Sequence, residues 1–119
     1  MFIFHSDDAS GNIAELRPGA VTIGSADEIV DILGNASYVN CTKVIIHSES
    51  FASGFFDLRT GLAGEILQKF SNYRMRLAIV GDFTRLKSRS WRNFIRESNR
   101  GKTVCFMPTV QGAISALIK

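Results

Sequence analysis

His5, His47, Glu49, Asp57 and Asp82 are the side chains of this 119-residue sequence that could act as acid, base or ligand where strands are expected to end. Open α/β sheets gather ligands at their strand ends, so these groups outline a polar site, with His47, Asp82 and the adjacent Phe83 as ligand-loop candidates. The simpler alternative for each histidine is a strand-end imidazole making one hydrogen bond. There is no His-x-x-x-His or Cys-x-x-Cys pair. Gly61-Leu62-Ala63-Gly64 lies in a helical pattern rather than a phosphate-binding loop, so neither a metal nor a cofactor is expected.

A second group of candidates is Phe55, Phe56, Asp57, Arg59, Thr60 and Gly61. The Thr60 hydroxyl has an acid and a cation nearby in sequence. From the residues alone it is read as capping or bonding the first helical turn. Consecutive aromatics cannot both enter one core. One of Phe55 and Phe56 is therefore expected at the surface, as a hydrophobic staple or as an interface anchor. The third group is basic. Residues 85–102 hold seven Lys or Arg against Glu97 alone, and Arg89, Arg92, Arg96 and Arg100 fall opposite Trp91, Phe94 and Ile95 on a helix. Such a stripe is either simply solvated or docks on an acidic protein surface, including the Asp27-Glu28-Asp31 face of a second copy. No exposed aromatic alternates with the arginines, so nucleic acid is not the expected partner.

The elements that must position these groups follow from periodicity. Residues 1–5 and 12–16 read as a hairpin around a turn at 6–11, and Ala20 to Ile23 as an extension into a further strand. Ser25 and Glu28 have capping-box spacing, and a helix with Ile29, Ile32, Leu33 and Ala36 inward should follow. Val44-Ile45-Ile46 and Leu77-Ala78-Ile79-Val80 are short apolar runs suited to strands covered on both faces. Between them a helix with Leu62, Ala63, Ile66, Leu67, Phe70 and Tyr73 on its apolar side completes a βαβ unit. Gly61 and Gly64 suggest that the backbone of another element, or a partner, comes close to that helix. Ser88 or Ser90 caps the arginine helix, 103–107 is the last strand, and Thr109 opens a final helix.

Length and composition set the bounds. One domain over residues 1–119 is expected, and no apolar run approaches the ~20 residues of a membrane span. The start has acids where a signal peptide would have its apolar core, so a cytoplasmic location is expected. Cys41 and Cys105 read as small buried hydrophobes, with a disulfide as the lesser alternative. The net charge of +3 conceals a split: residues 1–57 hold eight acids and two bases, and the remainder twelve bases and three acids.

The resulting order, a hairpin feeding a mainly parallel mixed sheet with about four helices, is α/β and resembles the STAS fold of bacterial anti-sigma-factor antagonists. The residues behind that resemblance are Gly19–Glu28, Thr60-Gly61-Leu62, 76–81 and 109–117. Phe55 to Phe70 and Leu77-Ala78-Ile79-Val80-Gly81-Asp82-Phe83 are similar to a bacterial domain family of unknown function, which implies no activity. The first resemblance implies a regulatory, non-enzymatic module working through protein contacts around Thr60, with Thr60 as a phosphoacceptor in the place of the antagonists' phosphorylated serine, although Asp57 stands three residues before Thr60 where the antagonists have an acid two before. Two other readings remain open: a small-ligand or anion-binding domain using helix N-termini at the strand ends, and an enzyme around His47 and Asp82.

Overall fold

A computed structural model describes residues 1–7 and 11–118. Its five strands, β1 (Phe2–Asp7), β2 (Gly11–Leu16), β3 (Cys41–His47), β4 (Arg76–Val80) and β5 (Val104–Met107), form one sheet in the order β1-β2-β3-β4-β5. Only β1 runs antiparallel to its neighbour, and β2 to β5 are parallel. The hairpin is thus present, while the tip of its expected turn, residues 8–10, lies outside the described residues. Four helices complete the fold: α1 (Ala26–Tyr38), α2 (Leu62–Asn72), α3 (Arg89–Arg100) and α4 (Val110–Leu117).

Because the parallel strands are laid down in chain order, the three crossover helices fall on one face of the sheet. Ile29, Ile32 and Leu33 of α1, Ala63, Ile66 and Phe70 of α2 and Trp91 of α3 share one core with Ala14, Val44, Ile46, Leu77, Ile79 and Phe106 of the strands. Each fully buried Ile, Leu or Phe contributes about 1.5–3 kcal/mol. The opposite face belongs to α4, whose Ala113 and Leu117 pack with Ile13, Ile45, Ala78, Val80 and Cys105. That helix lies mainly over β3, β4 and β5. It leaves the β1–β2 end of its face without a covering helix of its own, where polar side chains are tolerable.

Local chemistry explains the helix boundaries. The Ser25 hydroxyl accepts from the Glu28 amide, and Glu28 Oε1 accepts in return from the Gly24 amide at 3.2 Å, so the capping box is formed. The Ser88 and Thr109 hydroxyls cap α3 and α4 by accepting from the amides of Trp91 and Gly112, with no return bond among the described residues. Both cysteines are buried free thiols, and burial pushes both upward from the ordinary thiol value.

Four expectations are corrected. Residues 20–23 make no strand: Ile23 joins Phe51 in one isolated bridge, because this segment has to cross to the next layer. Tyr73 is 53% exposed, since α2 ends at Asn72 before the ring can turn inward. Gly64 is not closely approached, and a methyl group there would meet nothing within 4 Å. Gly61 has a different requirement, a φ of 76° between a 3-10 turn and α2, which other residues adopt only with strain. Finally, both adjacent aromatics contribute to packing. Phe55 is fully buried, while Phe56 is half-buried and meets it edge-on at 5.2 Å.

Candidate functional site

The expected polar cluster separates into two groups at the strand ends. The first is built on the sheet itself. Register places His5 opposite Ile13 and Ile45 opposite Glu15, so His5, Glu15 and His47 sit on three adjacent strands with side chains on the same face. His5 Nε2 donates to Glu15 Oε1 and His47 Nε2 to Glu15 Oε2, each at 2.8 Å. Glu15 is only 6% exposed. Burial alone would raise its pKa. The hydrogen bonds from His47 and His5, together with their charge when protonated, outweigh that and hold the carboxyl below its ordinary value. Glu15 did not figure among the sequence candidates. An acid between Ala14 and Leu16, at the apolar end of its strand, was the available signal, readable only once the hairpin register is known.

The second group occupies the rim formed by the loops after β3 and β4 and the start of α3. After β3 the chain makes three single 3-10 turns, Ser48–Ser50, Ser53–Phe56 and Leu58–Thr60, before α2 begins. Aromatic packing anchors this segment. Phe51 stacks on Phe55 at 4.1 Å, Phe55 and Phe56 each lie 5.7 Å from the Trp91 ring, and the Trp91 indole donates to the Phe56 carbonyl. Asp57 accepts from the Arg59 amide and from two nitrogens of its guanidinium, at 2.9–3.1 Å. These side-chain bonds, aided by the backbone bond, hold the Asp57 carboxyl below its ordinary value. Arg59 therefore pairs with Asp57 rather than standing over the Thr60 hydroxyl. Thr60 Oγ1 lies 2.9 Å from the Gly54 and Asp57 carbonyls and accepts from the Leu62 amide at 3.2 Å. The N-cap of α2 is Gly61, which has no side chain, so Thr60 supplies the missing acceptor.

Asp82 repeats the Asp57 arrangement. Its side chain accepts from the Thr84 hydroxyl and amide, which lower its pKa, and Arg85 stands 3.9 Å away. His47 and Asp82 are therefore committed to different partners, and neither groove lined by Asp82 is lined by His47.

Three open grooves run side by side along this rim. One of about 410 Å³ is lined by Gly81, Asp82, Phe83, Arg92, Ile95 and Pro108 among others. The next, about 160 Å³, shares Asp82 and Phe83 and adds Arg85, Leu86 and Phe56. The third, about 320 Å³, shares Phe56 and adds Asp57, Leu58, Arg59, Ser88, Ser90 and Trp91. The structure thus joins Phe83 and Asp82 with Arg92 from the basic helix, and Phe56, Asp57 and Arg59 with the start of that helix. Arg89, Arg96 and Arg100 are exposed outside the grooves. Among the described residues no cluster of three His, Cys, Asp or Glu could hold a metal ion, and no helix is long and apolar enough to cross a membrane.

Comparison with curated proteins and with solved structures gave no match. A family model does match, over residues 8–117, nearly the whole chain, including the rim residues and, of the first group, Glu15 and His47. The chain belongs to the family described as Domain of unknown function (DUF4180).

Proposed function

We propose that this domain is a non-enzymatic, regulatory protein-interaction module whose partner lies along the strand-end rim. The observation that carries the reading is the continuity of the three grooves through shared Phe56, Asp82 and Phe83. Aromatic and aliphatic side chains form their floor, with charges at their edges, an arrangement suited to an extended peptide segment with alternating apolar and charged side chains. The carboxylates at the rim support it too. Asp57 and Asp82 have lowered pKa values, whereas a general acid near neutrality needs a raised one. The STAS-like resemblance and a bacterial cytoplasmic setting belong to the same proposal, supported by the element order and by Thr60 at the entrance to α2.

Capture of partners from the native host by the full chain, compared across variants, tests it. Arg59→Glu and Leu58→Ser should each lose a partner that the parent and a Tyr38→Ser control at the opposite end of the sheet retain. Loss of the Thr60 hydroxyl in Thr60→Ala should cost about 1 kcal/mol through the lost cap and leave capture intact. Thr60→Glu should abolish capture if the hydroxyl is a switch. Identical partner profiles for all these variants would remove the interaction reading, and capture by Thr60→Glu alone would leave Thr60 as a cap.

A further inference from the structure

We propose that the domain assembles head to tail, the arginine face of α3 in one copy docking on the acidic face of α1 in the next. The two faces lie on opposite flanks of one helical layer. Helix α1 packs on α2 and β3, and α3 packs on β5, with α2 between them. On α1, Asp27, Glu28 and Asp31 are exposed. Glu28 is taken up by the capping box, whereas Asp27 and Asp31 have no ion-pair partner among the described residues. On α3, Arg89, Arg92, Arg96 and Arg100 are exposed. Only Arg100 has an acidic partner there, Glu97 at 3.5 Å.

The spacings match as well as the signs. Asp27 and Asp31 stand one turn apart, about 6 Å along the axis, and so do Arg92 and Arg96, or Arg96 and Arg100. Arg89 adds a second reason. It lies in the first turn of α3, where there is no acid and where the helix dipole disfavours a cation. A carboxylate from a neighbouring copy would relieve that conflict. Since the two faces are different surfaces of the same chain, a docked pair still has one acidic face free on one copy and one arginine face free on the other. The contact is heterologous and propagates instead of closing on a two-fold axis. The face meets the rim at Arg92, which lines one groove, whereas Asp27, Asp31, Arg89 and Arg96 line none of them, so substitutions at those four positions test the docking apart from the rim.

Sedimentation velocity of the full chain decides the matter, at about 0.01 M salt, where charges are felt over about 30 Å, and at about 1 M, where that falls to about 3 Å. Concentration-dependent growth past the dimer is expected at low salt, with a monomer at high salt. Arg89→Glu/Arg96→Glu should be monomeric at both while remaining folded, because an acid in the first turn suits the dipole. Asp31→Lys should weaken growth, and mixing the two variants should restore larger species. A monomer throughout, a salt-insensitive species, growth that stops at the dimer, or association unaffected by the arginine reversal would each overturn the proposal. If the parent is monomeric yet binds a DNA duplex that the arginine variant releases, the face serves nucleic acid instead.

Discussion

Glu15 is the residue whose environment departs furthest from what its neighbours in sequence suggest. It stands in a strand among Ile13, Ala14 and Leu16, and is kept ionised by imidazoles brought from β1 and β3. Neither histidine is near it in the chain, so no spacing rule could have paired them. The reading of His5 and His47 as histidines with one hydrogen bond each fits their bonds to Glu15, but His5 lies inside β1, which runs on to Asp7, and their common partner was left unnamed. A pH dependence follows. A carboxyl whose folded pKa lies below its unfolded value of about 4.3 contributes stability that is fully present above that value and is lost as pH falls through the folded value. Glu15→Gln keeps the shape but loses the charge and one acceptor, and should cost about 1–3 kcal/mol at neutral pH. The difference from the parent should shrink as denaturation is followed below about pH 4.3. Added salt should barely alter it, because the carboxylate is buried, unlike the exposed Asp57–Arg59 pair. A gap between parent and variant that stays constant from neutral to acid pH would show that the carboxylate charge is not what ties the three strands.

Local rules specified most elements, because strands covered on both faces and capped amphipathic helices state themselves within a few residues. Val44-Ile45-Ile46, Leu77 to Val80, Ser25 with Glu28, Ser88 and Thr109 are of this kind. What escaped was set by contacts distant in sequence. The segment 48–61 turns three times because Phe55, on which Phe51 stacks, and Phe56 must reach Trp91, a residue thirty-five or more positions away. Glycine shows the same limit. Gly64 attracted attention by interrupting a helix, yet its surroundings are open. The close approach is at Gly81, just after β4, where a methyl group would stand 2.8 Å from the Ser48 Cβ and nearer still to its hydroxyl. Two loops of the rim therefore touch at that point. Gly81→Ala should cost about 1–3 kcal/mol by overpacking. Gly64→Ala should stabilise by about 0.5–1 kcal/mol, since alanine is the better helix former and finds room. Urea denaturation of both variants checks the pair, and the opposite order of stabilities would contradict this account of the rim.

Across the whole molecule the two faces of the sheet are unequally secured. Three helices and an aromatic cluster hold one face, while α4 alone, eight residues long, closes the other. A helix of that length is not stable by itself, so its position depends on tertiary contacts. Besides Ala113 and Leu117, Arg76 supplies one. From the start of β4 its guanidinium donates to the Leu117 carbonyl at 2.7 Å, to Ala116 at 3.4 Å and to the Lys102 carbonyl at 2.6 Å. It thereby meets unpaired carbonyls at the negative end of the α4 dipole and ties them to the chain entering β5. The sequence showed Arg76 only as a residue leading into the run Leu77 to Val80, since its role depends on residues forty positions later. Arg76→Met retains much of the side chain's length and apolar contact but removes every donor. It should lower stability by about 2–3 kcal/mol, the scale of hydrogen bonds to a charged group. Amide exchange should accelerate through 110–118 before it does in α1 or α2, and the Trp91 emission from the opposite face should stay as in the parent until global unfolding. Unchanged protection of α4 would mean that Ala113 and Leu117 hold the helix without Arg76. Loss of protection on both faces together would mean that α4 is part of one cooperative unit with the aromatic cluster, and that the clamp secures the whole sheet rather than one face of it.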